Sequence, residues 1–309
     1  MRDVQLSCLV NMDDPFSVMQ EVRTIIHMID PDHDLSTVDR VFKDIMDLFA
    51  GKYPGYKACN CVYHDFKHTT DTLLAMARLV HGAVLRGWRF SKKELDLSIF
   101  SALLHDTGYI QEEWDNEGTG AKYTLIHVDR SIEFSNSYLK KIGFSDADTS
   151  FMASVLRCTG VRVMIHKVKF FSRNHELIGK MLGTADLMGQ MADRTYLEKL
   201  PHLYREFREG NVPGYKDEFD LIRKTLDFYK WTLNRFETEF DSVYKFAKDH
   251  FKRRWGIDEN LYLIAIEKNI RYLEHVINNY PHDYKRHLRR YVSSTLQNRA
   301  GELELKSFQ

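Results

Sequence analysis

The sequence predicts an all-α protein. Glycine and proline, the residues that most often interrupt helices, number 16 and 6 in 309 residues. Together they make up roughly 7% of the chain, against about 12% in an average protein. The chain also carries 19 Phe, 16 Tyr and 4 Trp, enough aromatic side chains to pack long helices together. The alternating pattern typical of a strand is confined to residues 161–165.

The first three helices are predicted from apolar residues at helical spacing and from the breakers between them. They cover residues 15–30, 36–49 and 63–85. Pro31 separates the first from the second, and Gly87 ends the third. The first two are short and amphipathic, whereas the third carries two histidines in its first turns.

Capping residues predict where the next helices begin. Ser91 is followed three residues later by Glu94, which is the spacing of a capping box. Ser145 and Asp148 have the same spacing and open a later helix. Between them, residues 124–141 are predicted to form a further helix.

Residues 175–191 are predicted to form a helix. Beyond Gly214, residues 217–252 and 259–279 are predicted to form long, aromatic-rich helices. A heptad-like apolar stripe in residues 217–252 predicts either intramolecular packing or a homodimer through the C-terminal helices. Its members are Phe219, Ile222, Leu226, Leu233, Phe236 and Phe240.

Composition limits the partners of the protein. Lysine plus arginine and aspartate plus glutamate each number 44, so the net charge is zero and a nucleic acid partner is not expected. The four cysteines show no disulfide framework. No apolar run approaches the ~20 residues that span a bilayer, and the N-terminus opens no long apolar run. We therefore expect a cytoplasmic protein without a membrane partner.

Three short segments carry side chains that suit a metal ion. His64 and His68 are four residues apart, so they share one face of a helix. His105 and Asp106 are adjacent where a helix ends, which allows both to converge on one point. Asp186 interrupts the apolar stripe of a later helix, and a buried carboxylate without a partner is costly. Two imidazoles and two carboxylates would hold a divalent ion and leave positions for water.

This order of residues resembles the HD-domain metal-dependent phosphohydrolases. The match runs from His68 through His105 and Asp106 to Asp186, and it covers about residues 36–215. On this reading residues 1–35 form an N-terminal helical segment and residues 216–309 a C-terminal helical region.

The first motif is similar to the cyclic-nucleotide phosphodiesterase form, Y-H-N-x-x-H-x-x-D. Here residues 63–71 read Y-H-D-F-K-H-T-T-D, with Asp65 in place of Asn. The second motif departs from that branch, because the H-D is followed by T-G-Y and no D-H-P-G occurs. In the cyclic-di-GMP branch the position of Tyr109 is a lysine.

The resemblance implies an HD-domain helical bundle with additional C-terminal helices, and a metal-activated water that hydrolyses a phosphate ester. The ligands would be His68, His105, Asp106 and Asp186, holding one or two divalent ions (Mn, Mg, Zn, Fe or Ni), with Asp106 bridging to a second. His64 would protonate the leaving oxygen. The first motif favours a small nucleotide-type phosphodiester as substrate. The alternatives are a nucleotidase-type phosphomonoesterase and a non-catalytic HD-fold module that senses a ligand.

Further residues near these motifs are candidates for a role in the site. His127 would serve a second metal or lie on the surface. Arg130 would bind the substrate phosphate in place of the lysine that Tyr109 replaces, or have no role in the site. Asp65 or Asp71 would orient the ring of a ligating histidine without contacting the metal itself. The aromatic-rich residues 200–207 would stack a base or belong to the core.

Overall fold

The computed structural model describes residues 4–288, and no β-strand occurs among them. Two isolated bridges, Ala50 with Ala58 and Tyr56 with Glu112, are the β-type pairings in this range. The all-α class predicted from the sequence is confirmed. Residues 1–3 of the predicted N-terminal segment and residues 289–309 of the predicted C-terminal region lie outside the described residues.

Thirteen α-helices occur in residues 4–288. In chain order they are α1 (Leu6–Leu9), α2 (Pro15–Ile29), α3 (Ser36–Phe49), α4 (Phe66–Leu85), α5 (Lys92–Leu104), α6 (His127–Lys141), α7 (Asp146–Leu156), α8 (Arg173–Ala192), α9 (Tyr196–Glu209), α10 (Glu218–Thr238), α11 (Phe246–Trp255), α12 (Leu261–Asn279) and α13 (Tyr284–His287).

Two helices, α4 and α8, lie in the middle of the structure and pack against each other. Helix α4 also contacts α2, α5 and α11, and α8 also contacts α5, α7 and α12. Both are buried along most of their length. The approach of α11 to α4 is close at Gly82, where a Cβ atom would lie 1.9 Å from the carbonyl oxygen of Phe246. The polar residues of α4 and α8 are therefore held inside the protein, where they need partners.

Both predicted helix starts with capping residues are confirmed. Ser91 accepts a hydrogen bond from the backbone N–H of Glu94, whose carboxylate accepts one from the N–H of Ser91 in return. Ser145 and Asp148 make the same reciprocal pair. The start of α5 is thereby fixed, and with it the position of His105 at the other end.

One predicted helix is wrong in its extent. Residues 217–252 form two helices, because α10 ends at Thr238 and α11 begins at Phe246. Asp241 and Ser242, between them, have positive φ angles of 49° and 57°. The turn buries Phe240 and Val243 in the core, so tertiary packing overrides local helix preference.

The heptad-like stripe packs within the chain. Ile222, Phe236 and Phe240 are buried in the core of the same chain. The strand-like residues 161–165 are a turn that leads into a short 3-10 helix, Ile165–Lys167. Within residues 4–288, no helix is both long enough and apolar enough to cross a membrane.

A buried histidine pair joins α4 to α11 and predicts a dependence of stability on pH. The Nδ1 atoms of His81 and His250 lie 3.0 Å apart, so one neutral ring donates and the other accepts. Burial, with Arg253 nearby, lowers the pKa of His81 to about 4. Burial, with Arg78 nearby, lowers the pKa of His250 to about 2.

A histidine in the unfolded chain has a pKa near 6.5. Below that pH the unfolded chain therefore binds protons that the folded His81–His250 pair does not bind, and the folded state becomes less stable. We expect the free energy of unfolding to fall by about 2 kcal/mol for each histidine between pH 7.5 and pH 5. Denaturant unfolding of the wild type and of His250→Asn at several pH values measures this. The variant should show a shallower dependence on pH, and identical slopes would contradict the assignment.

Candidate metal centre

Four of the predicted ligands meet where α4, α5 and α8 pack together. His68 lies in the first turn of α4, and His105 is the residue that ends α5. Asp106 follows at once, with a φ of −110° that lies outside the α-helical range. Asp186 lies in the middle of α8, facing α4. The convergence follows from the contacts of α4 with α5 and α8.

The ligand atoms of His68, His105 and Asp106 are separated by distances that suit one ion, and Asp186 lies beside them. The Nε2 atoms of His68 and His105 are 3.2 Å apart, and Asp106 Oδ2 is 3.3 Å from each. Asp186 Oδ1 lies 3.2 Å from His68 Nε2 and 3.8 Å from His105 Nε2. Atoms bound at about 2.1 Å lie about 3.0 Å apart in an octahedron and about 3.4 Å apart in a tetrahedron. His68, His105 and Asp106 form a buried group that could hold a metal ion.

The hydrogen bonding of this cluster also calls for a cation. His105 Nδ1 donates to the carbonyl of Ala102 at 2.8 Å, which leaves the Nε2 lone pair directed into the cluster. Asp106 Oδ2 is buried and accepts no hydrogen bond from the described residues. A buried carboxylate oxygen without a donor is unfavourable unless a cation faces it.

The pKa values of His68 and Asp106 are shifted by the contacts between the imidazoles and carboxylates of this cluster. Burial alone would lower the pKa of His68, but its contacts with Asp106 and Asp186 raise it to about 10. Burial alone would raise the pKa of Asp106, but His105 and His68 hold it well below the ordinary value. Both shifts show that the two carboxylates favour positive charge at this point, whether a proton or a metal ion.

His127 faces the other oxygen of Asp106. Its Nε2 atom lies 3.8 Å from Asp106 Oδ1, while its Nδ1 donates to the carbonyl of Thr124 at 2.7 Å. Gly108 makes this approach possible, because a Cβ there would lie 2.0 Å from the carbonyl oxygen of His127. The two oxygens of Asp106 therefore face different imidazoles.

His64 lies beside the cluster and is bonded to a carboxylate that the sequence analysis missed. Its Nδ1 donates to Glu206 Oε2 at 2.6 Å, and Glu206 Oε1 accepts from the backbone N–H of Tyr63 at 2.6 Å. Burial alone would raise the pKa of Glu206, but the His64 contact lowers it. Glu206 belongs to α9, which was not among the predicted helices and which has Pro201 inside it.

Tyr109 occupies the space between two of these histidines. Its ring stacks on His64 with centroids 4.3 Å apart and on His127 with centroids 4.6 Å apart. Its hydroxyl lies 3.4 Å from His64 Nε2. The residue that replaces the lysine of a related motif thus sets the spacing of two imidazoles.

Arg130 lies outside the cluster, and its contacts argue against the predicted role in binding phosphate. Its guanidinium donates to the carbonyls of Gly108 and Ile110 at 2.8 and 3.0 Å. It also pairs with both oxygens of Glu112 at 3.0 and 3.1 Å. Through these contacts Arg130 braces the loop that follows Asp106.

Neither Asp65 nor Asp71 makes a direct hydrogen bond to a histidine ring among the described residues. Asp65 caps α4 by accepting from the backbone N–H of His68 at 2.8 Å. Asp71 pairs with Lys67 at 2.7 Å, and burial raises its pKa to about 7 although Lys67 opposes this. The orienting role predicted for Asp65 or Asp71 therefore stays a prediction.

A second residue missed in the sequence analysis supports Asp186. Gln190 donates to Asp186 Oδ1 at 3.3 Å and accepts from the Tyr63 hydroxyl at 2.9 Å. Its position, one helical turn after Asp186, was the available signal. In the predicted stacking segment, Leu200 is buried in the core, and Leu203, Tyr204 and Phe207 pack against that core.

The fold and the site define an all-α protein with a buried His/Asp cluster that could hold a metal ion. Residues 112–247, somewhat less than half of the chain, match the model of a family described as Npun_R2479-like. The matched region includes His127, Asp186 and Glu206 and excludes His64, His68, His105 and Asp106. No curated protein shows a significant match to the chain.

Proposed function

We propose that the protein is a metal-dependent phosphohydrolase of the HD-domain type, acting on a nucleotide-type phosphodiester. One observation carries the proposal: four candidate ligands converge beside an imidazole–carboxylate pair that is not needed to hold the ion. The ligands are His68, His105, Asp106 and Asp186, and the pair is His64 with Glu206. A site that only bound metal would have no use for the pair.

In this proposal His68, His105, Asp106 and Asp186 hold the first ion. His127 and the second oxygen of Asp106 offer a place for another. A divalent ion held by these residues would supply a water of lowered pKa and would neutralise charge on the phosphate oxygens. The identity of the ion is left to experiment among Mn, Mg, Zn, Fe and Ni.

His64 acts as the general acid. Its Nδ1–H is held by Glu206, so its Nε2 is the nitrogen that presents a proton to the leaving oxygen. The carboxylate of Glu206 stabilises the imidazolium form before that transfer, and Tyr109 keeps the ring in one orientation by stacking. The side chain of His64 is 14% exposed, which leaves one edge for substrate to reach.

Two other functions compete with this one. A nucleotidase-type phosphomonoesterase would use the same ligands on a substrate with one more negative charge. A ligand-sensing module would keep the fold without turnover, and the His64–Glu206 pair is the feature that argues against it. The phosphodiester is favoured because residues 63–71 are similar to the first motif of the cyclic-nucleotide phosphodiesterases.

The test compares two aryl substrates on purified protein loaded with each metal in turn. We expect bis(p-nitrophenyl) phosphate to be hydrolysed faster than p-nitrophenyl phosphate, and one metal to be superior. A panel of nucleotides and cyclic nucleotides then narrows the substrate. Asp106→Asn, purified in parallel, measures contaminating phosphatase. A protein with no affinity for any of the metals would overturn the proposal, and faster cleavage of the monoester would favour the nucleotidase.

A further inference from the structure

A small cavity lies behind the metal centre, against the side of His68 that faces away from the ligands. Its wall includes His68, Asp71, Gln190 and Lys199. Its volume is about 10 Å³, close to the least that holds one water molecule. Each side chain that lines it carries a polar group, and polar partners are the condition under which such a cavity is filled by water.

Two buried polar atoms of the residues that line this cavity have no partner among the described residues. They are His68 Nδ1 and Asp71 Oδ1. The two side chains are 5% and 1% exposed, so bulk solvent does not serve them. His68 and Asp71 are one turn apart on α4.

The chemistry of the two atoms is complementary. When His68 binds an ion through Nε2, its proton must reside on Nδ1, which then needs an acceptor. The other carboxylate oxygen of Asp71, Oδ2, is already engaged by Lys67 at 2.7 Å. Lys67 is held in turn by Asp193 at 3.3 Å. Oδ1 is therefore the oxygen of Asp71 that is left to accept.

We propose that one buried water fills this cavity, accepts a hydrogen bond from His68 Nδ1 and donates one to Asp71 Oδ1. Asp71 is then a positioning residue that acts on His68 through water. His105 has the equivalent support without water, because its Nδ1 donates directly to the carbonyl of Ala102. This inference rests on the proposed metal centre and adds the residue that orients one of its ligands.

The first test is the affinity for metal of Asp71→Asn. Because the amide oxygen will turn to Lys67, the amide N–H₂ will face the cavity and offer a donor where an acceptor is needed. We expect the Kd for Mn²⁺ or Zn²⁺, measured by competition with a chelator, to rise by about 10-fold or more. Thr72→Val is the matched control, since Thr72 is a neighbouring buried residue whose hydroxyl likewise has no partner within residues 4–288. Its Kd should stay within about twofold of wild type, as expected when no ligand is touched.

The second test needs no variant. In the Zn²⁺-loaded wild type with ¹⁵N-labelled histidine, the Nδ1–H protons of both His68 and His105 should be visible and slow to exchange. His105 is the internal reference, because its acceptor is a protein carbonyl. The His68 proton should also show contact with a long-lived water.

The outcomes separate the two proposals. A wild type that binds no divalent ion overturns the metal centre and this inference together. A wild type that binds an ion, with Asp71→Asn of equal affinity, overturns this inference alone. If Asp71→Asn does not fold, the His68 signal decides, and its absence beside a visible His105 signal overturns the water bridge.

Discussion

Replacing Asp106 with asparagine is expected to abolish tight binding of a divalent ion and, with it, hydrolysis. Asp106 Oδ2 lies 3.3 Å from both His68 Nε2 and His105 Nε2, so its charge faces the centre of the cluster. An amide keeps the volume but removes the negative charge that a divalent ion needs. Mutation of a residue that hydrogen-bonds to a metal ligand typically weakens metal affinity by about 10–100-fold. We therefore expect the loss of the ligand itself to raise the Kd for metal by at least about 100-fold.

Thermal unfolding with added metal measures this without any substrate. A ligand present at about 100 times its Kd stabilises the folded state by about 2.7 kcal/mol. The wild type should therefore unfold at a higher temperature with metal than without, whereas Asp106→Asn should show no such rise.

Asp148→Asn is the control for this prediction. Asp148 is also a buried aspartate, but it caps α7 and pairs with Lys93 at the start of α5. His105 lies at the other end of that helix, about 20 Å away for 13 residues. The control should respond to metal as the wild type does. A metal-induced rise in Asp106→Asn as large as in the wild type would show that Asp106 is not a ligand.

The fold was predicted well wherever local signals decide it. Capping pairs such as Ser91 with Glu94 fix a helix start through bonds between residues three apart, so the sequence alone reveals them. The break between α10 and α11 was not predicted, because no proline or glycine marks it. Asp241 and Ser242 adopt positive φ angles there so that Phe240 can be buried. That choice depends on packing between helices distant in sequence.

In the site, too, some residues could be predicted from local signals and others could not. His68, His105, Asp106 and Asp186 were predicted from residue type and from their places on helices, and the structure brings them together. Glu206 was missed, because its partner His64 lies 142 positions earlier in the chain and no spacing rule connects them.

Arg130 makes contacts that residue type alone does not reveal. An arginine near the site suggests a phosphate contact, but backbone carbonyl groups in the loop after Asp106 also need hydrogen-bond donors. Its guanidinium serves Gly108 and Ile110 in that loop.

Replacing Glu206 with glutamine is expected to slow turnover without weakening the affinity for metal. The glutamine keeps an acceptor for the backbone N–H of Tyr63, but it lacks the charge that stabilises the His64 imidazolium. General acids contribute about 10²–10⁴-fold to rate, so we expect kcat to fall by about 100-fold on a substrate with an alkoxide leaving group.

The choice of leaving group makes this prediction specific. A p-nitrophenolate leaves without needing a proton, so Glu206→Gln should cleave the aryl phosphodiester at nearly the wild-type rate and lose rate chiefly on a nucleotide phosphodiester. Glu209→Gln is the matched control, because Glu209 lies one turn further along α9 and accepts from the Thr119 hydroxyl at 2.8 Å. It should lose little on either substrate. An equal loss of rate on both substrates in Glu206→Gln, or a loss of metal, would mean that Glu206 supports the structure of the site and that His64 is not the acid.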